Sequence, residues 1–457
     1  MKTINKIFRS LLIVLFSAGC SGLLDDVTPD TSIPEPEITV QKLPLLVRGM
    51  YARMLGGLYG QGNFGDEIAS DNLGSTYSLS AVSNYTNFDA CKVSVDDGLI
   101  CGRMWDHPYY GIGAANVIIN FVNSYGEEDP VARQAKGEAL TLRGYCYMLL
   151  AERFGDAVIT LDAHEKIQRE QDPEEKVWKR AEDDLQEALA YLKNFENPDA
   201  ISLQAAQAFL ARLYLNRGVL TSDAAMVENA GIYAQKVIDG ETALEMNPDY
   251  KDNFTSSSQG HEVIFRMLEA QSAAIASYLY SMLSPQSYPG ENPGSTWMEP
   301  SLVALYDEPA DDRSAILCKE VYSVTGQELT YCVKFPADNN SVWALARLAE
   351  MHLIVAEVAA RKGIVDVTGY NVVRAARNAS LRQNADFINA QAFLEEIENE
   401  RRREFVGEGL RWMDMRRFGC MAAHLKAKGV DPRRVHFPIY EGERTNNPML
   451  HQNPYYN

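Results

Sequence analysis

Two stretches of this 457-residue chain gather side chains suited to grip a polar, ring-shaped molecule. The first holds Tyr59, Phe64, Asp71, Asn72, Tyr77, Asn84 and Tyr85; the second holds Tyr278, Tyr280, Tyr288, Asn292 and Trp297. Aromatic rings lie against the apolar faces of sugar rings, while Asp and Asn exchange hydrogen bonds with hydroxyls. The same rings can cap a peptide side chain. The candidate ligand-binding residues are therefore Tyr59, Asp71, Asn72, Tyr77, Tyr85, Tyr280, Tyr288 and Trp297. Trp105 joins them because it begins a helix next to the first stretch. The competing reading of any single ring is that it anchors its own loop to the core.

Catalytic signatures are missing from the sequence. His107, His164, His261, His352, His424, His436 and His451 are scattered, with no H-E-x-x-H, no pair at helical spacing and no Cys/His cluster. No nucleophile elbow or Walker-type phosphate loop occurs. Gly60 to Gly65 matches G-x-G-x-x-G, but it follows a helix rather than a strand and reads as a loop. No metal and no cofactor are expected. Carboxylates are too abundant for a catalytic pair to be singled out, so a surface hydrolase stays as a remote alternative to a binding role.

Helical periodicity dominates the elements that must position these loops. It predicts helices over Leu43–Leu55, Trp105–Ser124, Val131–Phe154, Glu174–Leu192, Leu203–Asn216, Ala224–Asp239, Trp343–Lys362, Thr368–Arg382 and Ala390–Phe418. Between them lie irregular regions at about 56–104 and 250–342, with few strand-like pieces such as Val263 to Phe265. Long loops on a helical scaffold often carry function. Ala205, Ala208, Ala211 and Gly218, followed by Ala230, Tyr233 and Ala234, give a small-large alternation like that of a tetratricopeptide unit. Leu348 to Gly363 with Asn371–Arg382, and Glu138 to Gly155 with Trp178–Leu192, repeat it. The expected class is mostly α, an α-α superhelix of tetratricopeptide-like pairs (about 105–240 and 343–418) with a loop-rich variable face and short strands. Cys318 and Cys332 flank Thr325 and Gly326 in what reads as a hairpin, where a cross-strand disulfide is plausible; Cys91 and Cys101 could close a short loop.

The N-terminus suggests a compartment. Lys2, Lys6 and Arg9 precede a brief apolar run, Leu11 to Phe16, and Ser17, Ala18 and Gly19 lead into Cys20. The run is too short to span a bilayer, which needs about 20 apolar residues, and reads as an export signal over 1–19. Small residues ending at a Cys point to lipidation at Cys20. Residues 20–38 then form a tether and 39–457 a single body. The net charge of −19 repels phosphate backbones, so nucleic acid is not an expected partner.

Several segments, in order, resemble the RagB/SusD family of outer-membrane nutrient-binding lipoproteins. Cys20 to Asp26 resembles its mature start, and Trp105, Tyr109, Ile112 and Ala115 to Ile118 its first core helix. Arg143, Tyr147, Leu150 and Phe154 to Asp156 resemble its R-x-x-x-Y-x-x-L-x-x-x-F-G-D segment, and Glu262 to Phe265 its E-V-I-F strand. Arg347 to Glu357 resembles its late helix; Glu400 to Gly419 is the most specific piece, and Phe437 to Pro454 resembles its tail. The resemblance implies a non-catalytic, surface-exposed lipoprotein of the outer membrane. It would capture oligosaccharide, or alternatively peptide, for a SusC-like TonB-dependent transporter. Arg401, Arg402, Arg403, Arg411 and Arg416, interleaved with Glu400, Glu404, Glu408 and Asp414, are expected to be structural ion pairs.

Overall fold

The protein is described here by a computed structural model of residues 37–58, 65–75, 83–165, 168–258, 260–267, 283–285, 296–322, 326–336 and 341–456. The leader, Cys20 and nearly all of the tether lie outside the described residues, as do Tyr59, Tyr77, Tyr280 and Tyr288. The chain begins with α1 (Leu43–Leu58), α2 (Gly65–Ala69), β1 (Leu73–Ser75), α3 (Ser83–Asp89), α4 (Cys101–Tyr125) and α5 (Pro130–Phe154). It continues with α6 (Glu174–Ala188), α7 (Leu203–Leu220), α8 (Ala224–Ile238), β2 (Val263–Met267), β3 (Thr296–Met298) and α9 (Pro300–Val303). Next come β4 (Leu317–Tyr322), β5 (Gln327–Cys332), β6 (Trp343–Arg347), α10 (Leu348–Arg361) and α11 (Thr368–Ala376). The last are α12 (Ala390–Phe405), α13 (Arg411–Phe418), α14 (Met421–Ala427) and α15 (Glu441–Asn446).

Capping side chains fix several helix starts. Asp129 accepts from the N–H of Val131 (2.8 Å) and Ala132 (3.2 Å), with Pro130 opening α5. Ser202 accepts from Ala205 before α7, and Asp223 from Ala225 and Met226 before α8. The helices then stack serially: α4 on α5, α5 on α6, α6 on α7, α7 on α8, α8 on α10 and α10 on α11. The pairs α5/α6, α7/α8 and α10/α11 are those marked by the repeated small-large pattern. This is a tetratricopeptide-like superhelix in a mostly helical protein. Glycine sets the spacing at one crossing: a methyl group on Gly144 would come 2.9 Å from Leu185 Cγ and 3.0 Å from the Ala181 carbonyl oxygen. One apolar cluster runs from Ile38 to Leu450, and a smaller one joins Leu353 and Ala356 of α10, Tyr370 of α11 and Phe393 of α12. Each large apolar side chain buried there contributes about 1.5–3 kcal/mol before entropy is counted.

Four expectations need correction. Trp343–Arg347, read as the start of a helix, is strand β6, antiparallel to β2. Its residues are buried, and Arg347 keeps extended backbone (φ −131°, ψ 151°) before α10 begins, so strand pairing overrides helical periodicity. The span Ala390–Phe418 is two helices, interrupted where Gly407 and Gly409 take φ of 78° and 77°. The hairpin forms around Gly326 (φ 72°), but its cysteines are unpaired thiols. Cys332 stands opposite Leu317 and Cys318 opposite Tyr331, so the two thiols project to opposite faces. Cys91 and Cys101 are also unpaired: Cys91 faces the Ala69 carbonyl and Cys101 the Pro438 carbonyl.

The Arg-rich segment is an interior ion lattice. Glu404 of α12 accepts from Arg347 (2.7 Å), Arg377 (2.8 Å) and Arg313 (3.1 Å). Glu262 accepts from Arg347 and Arg377, both at 2.6 Å, and Glu408 from Lys334 and Arg347. Burial alone would raise these carboxyls, but the surrounding guanidiniums hold Glu404 far below the usual range and Glu400 at about 2. Arg401 pairs with Asp414 (2.7 Å) and Arg403 with Glu400 (2.7 Å), as expected of structural ion pairs.

Candidate functional site

The two irregular regions meet. Strand β1 pairs antiparallel with β3 in the register Leu73 with Met298, Gly74 with Trp297 and Ser75 with Thr296. The ribbon continues in a further bond from Glu299 N–H to the Asn72 carbonyl (2.8 Å). Glu299 follows directly on β3 in extended backbone, so it lies on the same face as Trp297, two residues before it. Opposite them stands Gly74, and its missing side chain is what admits them. A methyl group there would come 2.7 Å from the Trp297 ring and 2.8 Å from Glu299 Oε1. The half-buried indole also packs against the hairpin cluster of Tyr322, Leu329 and Tyr331. A ring supported in this way is a preorganised stacking surface.

Side chains from distant elements frame the ribbon. Asp71 accepts from Arg411 at 2.5 and 2.9 Å. Burial would raise the Asp71 carboxyl, but the bonded guanidinium brings it below its ordinary value. Asn72 is buried with both amide atoms engaged, donating to Glu67 (3.1 Å) and accepting from Arg402 (3.1 Å). Arg402 also reaches the Asp71 carbonyl and Ser301. Asp89 accepts from Lys428 (2.6 Å) and from the Ser75 N–H (3.2 Å). Beneath them, His424 Nε2 sits 2.9 Å from the Ala69 carbonyl oxygen, and burial lowers its pKa.

Glu299 differs from its neighbours. No described residue hydrogen-bonds to its carboxylate, and its pKa is raised by burial and then by Asp89. The face therefore offers a ring and one free acceptor. Hydrolysis by acid-base catalysis would need two available carboxyls, and both Asp71 and Asp89 are committed to cations.

Of the residues named from sequence, the structure brings Asp71, Asn72 and Trp297 to this ribbon. Asp71 and Asn72 serve as its frame, and Trp297 is presented. Tyr85 is not: at 1% exposure it belongs to the core. Trp105 is also buried, edge-on to Phe154 at 5.1 Å, and lines a different cavity. Glu299 was missed, although strand alternation from Trp297 would have found it. Arg402, Arg411 and Lys428 arrive from more than a hundred residues downstream and leave no local signal. Among the described residues, no group of three or more His, Cys, Asp or Glu side chains is arranged to hold a metal, and no helix is long and apolar enough to cross a membrane.

Comparison with known proteins adds two family models. One, described as starch-binding associating with outer membrane, matches residues 25–215; the other, the SusD family, matches 336–456. No curated protein matches in sequence. Among solved structures, B. fragilis NanU superposes with a TM-score of 0.78 at 20% identity, covering 94% of this chain and 100% of its own. A laminarin binding SusD-like protein gives 0.76 at 20% identity, over 91% of this chain and 99% of its own. A SusD-like carbohydrate binding protein from Bacteroides vulgatus gives 0.67 at 20% identity over 83% of each chain. At these identities the structures speak to the fold.

Proposed function

The chain belongs to the SusD/RagB family, and on that premise we propose that it is a non-catalytic lipoprotein of the outer-membrane surface that captures oligosaccharide. It would be anchored through Cys20 and deliver its ligand to a SusC-like TonB-dependent transporter. The observation that carries the reading is the Trp297 ring laid on Gly74 with the free Glu299 carboxylate beside it. The ring stacks on the apolar face of a sugar while the carboxylate accepts from its hydroxyls. The described names of two similar structures, one binding laminarin and one carbohydrate, favour the same ligand class.

Calorimetry and a glycan array on the soluble domain test the ligand class. Binding to a neutral glycan, weakened by Trp297→Ala, supports the proposal. Silence across plant, host and microbial glycans, with binding to peptides instead, overturns the ligand class while leaving the capture role. Copurification with a TonB-dependent barrel tests delivery, and release of a Cys20→Ala variant from the membrane tests the anchor.

A further inference from the structure

The cavity lined by Trp105 has a chemistry of its own. It encloses about 260 Å³ between α4, which contributes Trp105, Asp106, Tyr109 and Tyr110, and α15, which contributes Glu443 and Asn446. Its walls are aromatic: the Trp105 and Tyr109 rings lie 5.4 Å apart, and Tyr110 stands 52% exposed. The Tyr109 hydroxyl is taken up by the backbone of Val158, donating to its carbonyl and accepting from its N–H. What Tyr109 offers the cavity is its ring.

Two features remain unspent. Trp105 is 3% exposed, yet its indole N–H, the one polar atom of that side chain, has no acceptor among the described residues. That N–H is not one of the sealed polar atoms of the interior; it opens on the cavity and is available to donate to an oxygen there. On the α15 side, Asp106 and Glu443 are hydrogen-bonded to each other. Carboxyls this close resist double ionisation. Burial and the Asp106 charge push Glu443 up to about 7, and burial raises Asp106 against the opposing pull of Arg103. Of the nearby cations, Arg444 is engaged by Glu441 at 2.6 Å. A cation lodged between the pair would let both carboxyls ionise, with release of the shared proton. An anion would be repelled, and a neutral ligand would leave the shared proton where it is.

We propose that this cavity binds an ammonium group with an oxygen acceptor beside it, the cation held by Asp106 and Glu443 against the Tyr110 ring and the oxygen by Trp105 Nε1. Ring-cation attraction adds to the ion pair. The same chemistry occurs in an amino sugar and at the free N-terminus of a peptide. The site shares no lining residue with the ribbon.

Titration calorimetry of the mature chain with D-glucosamine and with L-alanyl-L-alanine tests this and separates the two sources. N-acetyl-D-glucosamine, which keeps the ring and oxygens but lacks the cation, is the control. The expected result is binding of at least one amine, with the control weaker by about tenfold or more. Glu443→Gln and Tyr110→Ala should each weaken the amine by about tenfold without changing the melting temperature. Glucosamine alone binding assigns the amine to a sugar, and the dipeptide alone assigns it to a peptide. No heat from either amine, equal binding of the control, or amine binding unchanged in Tyr110→Ala (an exposed ring whose loss leaves the core intact) overturns the proposal.

Discussion

The carboxylates of Glu404 and Glu299 sit in similar company and do opposite things. Glu404, in the interior lattice, is bonded by Arg313, Arg347 and Arg377. Glu299, on the ribbon, lies among Asp71, Asp89, Arg402 and Lys428 but is bonded by no described residue. The difference lies in what the neighbouring cations are already doing. In the lattice the carboxylates of Glu404, Glu262 and Glu408 are each met by at least two cations, as burial demands. At the ribbon, Arg411 is committed to Asp71 and Lys428 to Asp89, which leaves Glu299 over. Carboxylates met by several cations belong to the scaffold, and Glu299, met by none, is the acceptor that the proposed binding role would use.

Breaking the lattice should give the largest effect. Glu404→Ala leaves buried guanidiniums without a partner and should cost about 3–5 kcal/mol of stability, read by chemical denaturation; a loss near zero would show that the lattice is dispensable. Trp297→Ala should do the reverse, weakening glycan affinity by about 1–3 kcal/mol in calorimetry with little change in melting, and Tyr77→Ala is expected to behave likewise. Gly74→Ala sharpens the point, since the added methyl displaces the ring without removing it. Affinity should fall as in Trp297→Ala; unchanged affinity would mean that the ring's resting place on Gly74 is unimportant.

The pH dependence carries two signs. Glu400 is depressed to about 2 from its ordinary 4.5, so its contribution to stability is full above 4.5 and is lost as pH falls toward 2. Glu152, raised by burial to about 7, does the opposite: its contribution is full below 4.5 and is lost as pH rises through 7. Glu152→Gln should therefore flatten the decline in melting temperature across that interval, and an unchanged slope would place the effect elsewhere. The smallest effect expected is none. Reductant should leave the melting temperature unmoved, because Cys318 and Cys332 point to opposite faces of their hairpin.

The paired helices were readable because their spacing rules are local. Ala205, Ala208 and Gly218 sit at fixed steps within one helix, and Gly326 marks the hairpin turn where it falls. What required a partner far along the chain was not readable. Trp343–Arg347 has the apolar content of a helix and becomes a strand only because Val263–Met267 lies beside it. The symmetry of Cys318 and Cys332 about the turn suggested a bond, but register, not symmetry, decides which way a side chain points. At the ribbon the residue types were legible in Asp71, Asn72 and Trp297. Their division into frame and contact was not, because Arg402 and Arg411 make it from the far end of the sequence.

The ribbon also constrains how such a protein can be re-engineered. Its two strands are three residues each and come from positions more than two hundred residues apart, so each is the other's only described strand neighbour. Grafting a foreign first excursion alone would oblige it to dock on a native Trp297 and Glu299 through an unfilled Gly74. Exchanges of specificity should succeed when both excursions travel together as a matched set, and fail when either moves alone.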